Sequence, residues 1–244
     1  MIWGDYHIHT TYSGNNGHAT QTPRDIFEVA NKLGLKQVGL CDHGFNHMLY
    51  ATTPMRVKKL KQAVEELNGK NQVRLLMGIE ANIFSLDGEI DLQNVDRGVF
   101  DIVVAGFHKM VWAKKLKDGI DLSFPQVFGT CTDQVKKRFT SVVISTIKTQ
   151  KIDILAHPGY GFPLDVKEVA KAAADYGVRI ELNGKRINLT DEEVLVLAQS
   201  DAKIVANSDA HSPERVGDVS KPIELLTRLG IPIERVENFV GVSF

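Results

Sequence analysis

The sequence has little of several features that mark large classes of proteins. It contains only two cysteines in 244 residues, Cys41 and Cys131, at no metal-binding or redox spacing, which argues against a disulfide framework. Its 29 basic and 30 acidic residues give a net charge of −1, so there is no general attraction to nucleic acid or anionic membranes. No run approaches the roughly 18 apolar residues of a membrane span, and no secretory signal is visible. We therefore expect a cytoplasmic protein.

Two catalytic motifs are also missing. The sequence has neither a Gly-x-Ser-x-Gly nucleophile elbow nor a phosphate-binding P-loop, which removes two competing mechanisms. Hydrophobic residues make up 43% of the chain and charged residues 24%, as in an ordinary globular protein. The length allows one large domain or two small ones, and we predict a single domain over residues 1–244.

Short apolar segments alternate with segments of helical periodicity along almost the whole chain, which predicts an α/β fold with a parallel sheet. Nearly every predicted strand is followed by a polar residue, and this favours a closed seven-stranded (β/α)7 TIM-like barrel over an open sheet. The predicted strands are Ile2–Tyr6, Gln37–Cys41, Arg74–Ile79, Ile102–Phe107, Ile152–Ala156, Arg179–Leu182 and Lys203–Ala206. The predicted helices are Pro23–Leu33, Pro54–Leu67, Asp133–Thr149, Val166–Tyr176 and Asp191–Gln199.

Two stretches interrupt this alternation. Asn82–Gly98 is polar and rich in turn residues, so we expect an irregular third crossover. Lys109–Cys131 is a long, lysine-rich connection at the end of the barrel where the polar residues gather. Long ordered loops in this position often act as lids or specificity elements, and a solvated surface loop is an equal alternative.

The eight histidines are unusually placed, because none lies in a predicted helix and most follow a predicted strand. Residues i and i+2 of a strand point the same way, so His7 and His9 can approach one ion, and Asp209 and His211 repeat this spacing. One histidine alone is more often a structural residue than a ligand. Chance is a poor explanation for so many at the same end of alternating elements, so the pattern predicts a metal site.

Counting the candidate ligands indicates how many ions are bound. A carboxylate at Glu80 can bridge two ions, which gives ten donor contacts in all. At three or four contacts per ion, the set predicts two or three divalent ions of zinc, manganese or iron, with coordination positions left open for water or substrate. The candidate ligands are His7, His9, His18, His43, Glu80, His108, His157, Asp209 and His211.

The short segments that contain these candidate ligands together resemble the motifs of the polymerase-and-histidinol-phosphatase (PHP) superfamily. The similarity runs from the first strand to about residue 217, and it is strongest to the small YcdX-type phosphoesterases in Gly78–Ile83, Asp87–Asp91 and Ala105–His108. The motifs are His7-Ile8-His9-Thr10, Cys41-Asp42-His43, the Glu80 segment, His108, His157-Pro158-Gly159 and Ser208-Asp209-Ala210-His211.

The resemblance implies a distorted seven-stranded barrel with three metal ions that hydrolyses phosphate esters with a metal-activated hydroxide. Carried over position by position, it implies three groups of ligands. They are His7, His9, Glu80 and Asp209 for one ion, Glu80, His108 and His157 for a second, and His18, His43 and His211 for a third.

Other residues are candidates for supporting roles. Lys185 and Arg186 follow the sixth strand and are predicted to bind substrate phosphate; an equal alternative is that they form a solvated pair on the surface. Ser13 is also predicted to contact the phosphate. Asp5 and Asp42 are candidates to orient ligating imidazoles. His47 is the one histidine outside the predicted site, and we expect it to be exposed to solvent.

The leading functional hypothesis is a metal-dependent phosphatase acting on a small soluble phosphomonoester. One alternative is a 3′–5′ exonuclease or nucleotide phosphodiesterase, although the neutral charge makes binding of a long nucleic acid unfavourable. Another is a metal-bound barrel that acts as a non-catalytic partner, which would not need open coordination positions. The substrate, the metals bound in the cell and the oligomeric state stay open.

Overall fold

The computed structural model describes residues 2–14, 17–70, 72–92, 95–129 and 131–239. Seven strands form one parallel sheet in which each strand pairs with the next along the chain. The strands are β1 (Gly4–Ile8), β2 (Gln37–His43), β3 (Arg74–Asn82), β4 (Ile102–Gly106), β5 (Ile154–Leu155), β6 (Arg179–Asn183) and β7 (Lys203–Asn207). The predicted α/β architecture with seven parallel strands is confirmed.

The α-helices cover the outside of this sheet. They are α1 (Pro23–Leu33), α2 (Pro54–Asn68), α3 (Leu116–Asp118), α4 (Phe124–Phe128), α5 (Asp133–Thr149), α6 (Val166–Tyr176), α7 (Asp191–Ala198) and α8 (Ser220–Arg228). The five predicted helices are all present, while α3, α4 and α8 were not predicted. None of the described helices has the length and apolar character needed to cross a bilayer.

Local capping explains why two of the predicted helices begin where they do. Thr22 and Asp25 form a reciprocal capping box at the start of α1, and Thr190 and Glu193 do the same for α7. At the other end of α1, Gly34 takes a left-handed conformation with φ 75°, which a glycine adopts without the steric cost of a Cβ atom.

The barrel closes between β7 and β1 with few direct strand contacts. At the carboxyl end of the strands, Ile8 and Ala210 form an isolated parallel bridge, and the backbone N–H of His9 donates to the carbonyl of Ala210 over 2.9 Å. The backbone N–H of Tyr6 donates to the Asn207 side chain over 3.0 Å. The Asn207 side chain thus supplies part of the seam in place of a backbone pair, so the barrel is nearly closed.

At the opposite end, the side chain of Asn238 fills the gap between the same two strands. Its Nδ2 donates to the carbonyls of Gly4 (2.8 Å) and Ala206 (2.6 Å), and its Oδ1 accepts from the Ala206 N–H (2.9 Å). Asn238 is fully buried. One amide therefore replaces the backbone pairing that β1 and β7 lack at this end.

Alternation along the strands places selected side chains inside the barrel. On β3, Leu76 belongs to the interior cluster, and Glu80 follows it on the same face four residues later. The cluster also includes Ile102 and Val205, whereas Leu75 belongs to the larger core packed between the sheet and the helices. Apolar side chains thus fill the barrel, and polar ones reach its carboxyl end.

The bounds of all seven strands differ from the predicted ones, by one residue at β4, β6 and β7 and by two at β2, which extends to His43. The other three differ more. β1 begins at Gly4 rather than Ile2, because the Trp3 N–H donates to Asn238 instead of pairing with a strand. β3 extends three residues further than predicted, to Asn82. β5 spans only Ile154–Leu155.

Both interruptions of the alternation have some local structure. After β3 the described residues form an isolated bridge between Ile83 and Ile90 and a 3-10 turn at Arg97–Val99, while residues 93–94 lie outside the described part. In the Lys109–Cys131 connection, residues 116–128 form α3, a π-helical turn at Gly119–Ser123 and α4. The irregular third crossover is thus as expected, whereas helical turns occupy much of the longer connection.

Candidate metal centre

Glu80 lies at the centre of the candidate site. Its carboxylate is 1% exposed at the carboxyl end of β3, and five imidazole rings surround it. These rings belong to His7, His9, His43, His108 and His157. Each of its two oxygens faces at least two ring nitrogens, which is the arrangement expected of a carboxylate that bridges ions.

Three donor atoms next to the carboxylate oxygens of Glu80 have the spacing of a coordination shell. Nε2 of His7 lies 3.2 Å from Oε1 of Glu80 and 3.2 Å from Nε2 of His9. Nε2 of His9 lies 3.4 Å from both Oε2 of Glu80 and Oδ1 of Asp209. Tetrahedral zinc with bonds of about 2.0–2.1 Å places its ligand atoms about 3.3–3.4 Å apart. The residues therefore fit a divalent ion.

The hydrogen bonds of the opposite ring nitrogens strengthen this conclusion. Nδ1 of His7 lies 2.9 Å from a carboxylate oxygen of Glu181, so this nitrogen carries a proton and donates it. Nδ1 of His9 lies 3.3 Å from the Ser13 hydroxyl, which already donates to Asp42 and so accepts from His9. In neutral rings both Nε2 atoms then present lone pairs, as metal-ligating histidines do.

A second group of nitrogens meets on the other side of His9. Nε2 of His18 lies 3.1 Å from Nε2 of His43 and 2.8 Å from Nε2 of His211. Nδ1 of His211 donates to the backbone carbonyl of Asp209 over 2.9 Å, which leaves its Nε2 with a lone pair. The Nε2 atom of His18 carries at most one proton and cannot donate to both neighbours, so positive charge is favoured beside these nitrogens.

The third group is formed by His108, His157 and Glu80. Nε2 of each ring lies within 2.9 Å of Oε1 of Glu80. Gly106 makes room for this contact, because a Cβ atom there would lie 2.7 Å from Cε1 of His157. The structure thus brings together all nine residues that the sequence predicts as ligands. The groups of three whose ligand atoms all lie within 4.8 Å of one another are His7, His9 and Asp209; His9, His43 and His211; and His43, Glu80 and His108. The division into three ligand sets that the family resemblance implies therefore stays a prediction.

Two of these residues have a backbone conformation that side chains rarely adopt. His157 has φ 28° and Asp209 has φ 51°, in the left-handed region that favours glycine. Such conformations cost on the order of 1 kcal/mol or more and cluster at functional sites. Here the backbone N–H of His157 donates to Glu181 over 2.8 Å, which holds the turn in place.

Burial and mutual charge set the protonation of the centre. Burial opposes ionisation of Glu80, but His108, His7 and His43 outweigh it and hold the pKa of this carboxyl well below its usual range. Burial lowers the pKa of His9 and brings that of His43 to about 3, so both rings stay neutral. For His7, the charges of Glu80 and Glu181 outweigh burial and raise the pKa.

The pKa of His7 has a direct structural meaning. Nε2 of His7 and Oε1 of Glu80 lie 3.2 Å apart, and both carry lone pairs that would repel each other. When no cation is bound, a proton on Nε2 removes this repulsion by donating to Oε1. The centre therefore requires positive charge, either a proton or a metal ion, at the position that the ligand spacing defines.

Glu181 is a member of the site that we did not predict. It is fully buried in β6, where it contacts His7, the backbone N–H of His157, and the side-chain amides of Asn183 and Asn207. A signal was present in the sequence, because a glutamate inside a strand of a parallel sheet buried on both faces needs a polar partner.

The two aspartates that were candidates to orient imidazoles have less direct roles. Asp42 accepts from the backbone and hydroxyl of Thr10 and from the Ser13 hydroxyl, so it reaches His9 only through Ser13. Asp5 accepts from the backbone N–H groups of Ser208 and Gly217. Neither carboxylate contacts an imidazole directly; both hold the backbone around the centre.

Ser13 has contacts that differ from those expected. Its hydroxyl is 1% exposed, donates to Asp42 over 2.7 Å and accepts from the backbone N–H of His43 over 3.2 Å. The hydroxyl is thus engaged inside the protein, and we do not include Ser13 among the groups proposed to contact substrate phosphate.

The expected exposure of His47 is wrong. The residue is only 7% exposed, because the loop after β2 pairs with the loop after β4 through a bridge between His47 and Val111. Nδ1 of His47 accepts from the backbone N–H groups of Leu49 and Tyr50, each over 3.2 Å. Long-range loop pairing, which no local pattern shows, buries this ring beside the centre.

The two predicted phosphate-binding cations lie at the mouth of the site. Nζ of Lys185 is 4.0 Å from Oδ2 of Asp209, and both Lys185 and Arg186 are exposed. Oδ1 of Asn183 accepts from the backbone N–H groups of both residues, while its Nδ2 donates to Glu181 and Asp209. Asn183 therefore ties the turn that carries these cations to the carboxylates of the centre.

A nearly closed parallel barrel with a histidine- and carboxylate-rich centre at the carboxyl ends of its strands defines a class of metal-binding barrel proteins. The family model described as the PHP domain matches residues 5–223. The chain therefore belongs to the PHP domain family, as its motifs indicate.

Related sequences extend over nearly the whole chain. A protein of Shewanella piezotolerans described as a probable phosphatase is 31% identical over 96% of this chain and 88% of its own length. A protein of the same description from Shewanella frigidimarina is 33% identical over the same shares.

Solved structures share the fold at low sequence identity. The histidinol phosphate phosphatase of Lactococcus lactis, in complex with zinc, L-histidinol and phosphate, matches with a TM-score of 0.64 and 15% identity, covering 95% of both chains. A structure from Listeria monocytogenes matches with a TM-score of 0.67 and 14% identity, covering 90% of this chain and 99% of its own. At such identities the comparison establishes the fold alone.

Proposed function

We propose that the protein is a metal-dependent phosphatase that hydrolyses a small phosphomonoester. The observation that carries this proposal is the 3.2–3.4 Å spacing of the ring nitrogens and carboxylate oxygens of His7, His9, Glu80 and Asp209 beside an open cavity. The descriptions of the related Shewanella proteins, and the phosphate bound by the Lactococcus protein, support the same reaction class.

Three groups of residues would hold the ions. Bound ions would neutralise the phosphate and lower the pKa of the attacking water, which is the usual contribution of clustered divalent metals to phosphoryl transfer. The groups are His7, His9, Glu80 and Asp209; Glu80, His108 and His157; and His18, His43 and His211.

The cavity above the centre suits a small ester. Its volume is about 410 Å³, and among the described residues that line it there is no serine, threonine or cysteine. Apart from the phenols of Tyr50 and Tyr160, the described lining therefore offers no hydroxyl or thiol, which supports direct attack by water. Lys185, beside Asp209, would contact the phosphate to be hydrolysed and offset part of its charge.

The rest of the cavity wall is suited to positioning the ester. The ring of Tyr50 stacks on His18 with centroids 3.6 Å apart and planes 9° apart. This contact fixes the orientation of the His18 ring on the side that faces the cavity, so less ordering remains for substrate binding.

Both cysteines are free thiols, as in a reducing compartment, and a cytoplasmic location stays our prediction.

The test is phosphate release by protein loaded separately with zinc, manganese or iron. The substrates would be p-nitrophenyl phosphate, sugar phosphates, nucleotides and histidinol phosphate, with His9→Ala as the inactive control. Metal-dependent turnover that the control lacks is expected. A fully loaded protein that hydrolyses none of these esters would contradict the proposal.

An oligonucleotide with a free 3′ end separates the exonuclease alternative. Preferential release of nucleotides from this substrate, with binding that weakens steeply as salt is raised, would favour that reading over a phosphomonoesterase.

A further inference from the structure

A second cavity adjoins the one above the metal centre. It has a volume of about 390 Å³ and is lined by Lys109, Gly159, Tyr160, Gly161, Arg186 and Asn188, among others. Lys109, Tyr160, Arg186 and Asn188 line both cavities, so the two are neighbours that share a wall. We call this second cavity the side chamber.

The side chamber is positively charged. None of the described residues that line it is acidic, whereas the main cavity contains Glu80 and Asp209. In the described part of the chain, no carboxylate lies within ion-pair distance of Lys109 or Arg186, although exposed cations elsewhere, such as Lys114, have such partners. Two unpaired cations therefore face one small space beside the centre.

The acids nearest to this region are already engaged. Asp191, which lines a surface depression shared with Arg186, forms a two-pronged ion pair with Arg228. Glu193, which lines a depression shared with Lys109, accepts from the backbone N–H of Thr190 in the capping box of α7. Both carboxylates therefore have other partners, and neither is paired with Lys109 or Arg186.

The walls of the chamber are fixed by the turns that also carry parts of the centre. The backbone N–H of Tyr160 donates to the carbonyl of His157 over 3.1 Å, and the two rings pack edge to face with centroids 5.4 Å apart. A Cβ atom at Gly159, where φ is 85°, would lie 3.1 Å from the carbonyl oxygen of Asn188. The chamber thus lies against the metal centre, and Lys109 in its lining directly follows the proposed ligand His108.

We propose that the side chamber binds a second anionic group, so that the substrate is a phosphomonoester that also carries a phosphate or a carboxylate. This inference rests on the proposed function. Lys185 lies beside Asp209 and would meet the phosphate that is hydrolysed, whereas Lys109 and Arg186 would meet the second anion. A leaving group with an ammonium would instead face two like charges at this position.

The experiment compares substrates that differ by one anionic group. The pairs are glycerol 3-phosphate against 3-phosphoglycerate, which adds a carboxylate, and fructose 6-phosphate against fructose 1,6-bisphosphate, which adds a phosphate. Values of kcat/KM would be measured on the metal-loaded protein, with p-nitrophenyl phosphate as the reference ester. We expect a preference of about tenfold or more for at least one doubly anionic member, and the pair that shows it identifies the second group.

Variants then assign the preference to the chamber. Lys109→Ala should raise KM for the preferred substrate about five- to tenfold and change p-nitrophenyl phosphate hydrolysis less than about twofold, because it removes a contact made only to the second anion. Arg186→Ala should raise KM for the preferred substrate by a similar factor, and by more than it raises KM for the singly anionic partner of the same pair. Arg186→Lys should retain most of the preference. Lys58→Ala, an exposed change on α2, is the control for loss of an unrelated charge.

The outcomes separate this inference from the function on which it rests. Two results would overturn the side-chamber proposal alone. One is metal-dependent hydrolysis of p-nitrophenyl phosphate without any preference for substrates with a second anion. The other is an equal loss of kcat/KM on both members of a substrate pair in the variants. Failure to hydrolyse any ester overturns both.

Discussion

The carboxylate of Glu181 accepts a hydrogen bond from Nδ1 of His7 over 2.9 Å, with both side chains fully buried inside the barrel. This contact fixes which nitrogen of His7 carries its proton and turns the other toward Glu80. Because Glu181 also accepts from the backbone of His157, it supports two of the proposed ligands from one position.

Replacing Glu181 tests this supporting role. In Glu181→Gln the amide offers one acceptor oxygen and a donor group where His7 and His157 both donate, so the His7 ring loses its orientation. We expect zinc affinity to fall about 10- to 100-fold with little change in secondary structure, as measured by competition with a chelator and by circular dichroism. Glu65→Gln, an exposed change on α2, is the matched control, and equal affinities in the two variants would refute the role.

Glu80 is the residue on which the proposed centre depends most. Its two oxygens face five imidazoles, and Glu80→Gln removes the negative charge that balances bound ions. We expect at least about a hundredfold loss of phosphatase activity together with lower metal content per protein, measured by elemental analysis. Full metal content with full activity in this variant would exclude Glu80 as a bridging ligand.

Metal affinity should decrease as the pH falls. Glu80 and Glu181 outweigh burial and raise the pKa of His7 well above its usual range, and Glu80 raises that of His157, so both rings hold a proton more strongly than a free imidazole when no ion is bound. An ion that takes these nitrogens releases the protons, and affinity therefore drops by up to about tenfold per pH unit for each proton released. Calorimetry in buffers of different ionisation enthalpy counts them. Zinc affinity that is constant between pH 6 and 8, with no proton released, would contradict this.

His47 should control the order of the loop beside the centre. His47→Ala leaves the backbone N–H groups of Leu49 and Tyr50 without their acceptor, which loosens the loop that stacks Tyr50 on His18. Faster amide exchange over residues 44–52 and a severalfold loss of activity are expected. His47→Asn can accept from the same backbone groups and should restore part of both properties. Identical exchange in the alanine variant and the wild type would exclude this role.

Asn238 should be important for stability rather than activity. Asn238→Leu keeps the volume but leaves three buried backbone groups of Gly4 and Ala206 unpaired. We expect the free energy of unfolding, measured with urea on the metal-free protein, to fall by about 3–5 kcal/mol. Asn68→Leu removes two comparable bonds to Leu75 at a half-buried position and should cost less, because water can replace them. A smaller loss for Asn238→Leu than for Asn68→Leu would show that the seam does not depend on this amide.

Much of the fold was predictable because its signals are local. The capping boxes at Thr22 and Thr190 and the glycine at the end of α1 mark helix ends by short-range hydrogen bonds and backbone sterics, and the predicted boundaries of α1, α5 and α6 agree with the structure. Helix α8 was missed, and β1 was displaced by two residues because the contact that excludes its first residues comes from Asn238, more than two hundred residues away.

The sequence by itself determined the presence of the strands, most helices and the types of side chain that gather at one end of the barrel. The reason is that the alternation of side chains along a strand and the capping of a helix depend only on residues close together in the chain. Only the tertiary structure decided what joins across the barrel. It showed Glu181 behind His7, the burial of His47, the Asn238 amide between β1 and β7, and the side chamber at Lys109 and Arg186. Each of these depends on residues distant in the chain meeting within a few ångströms, and no local pattern specifies that distance.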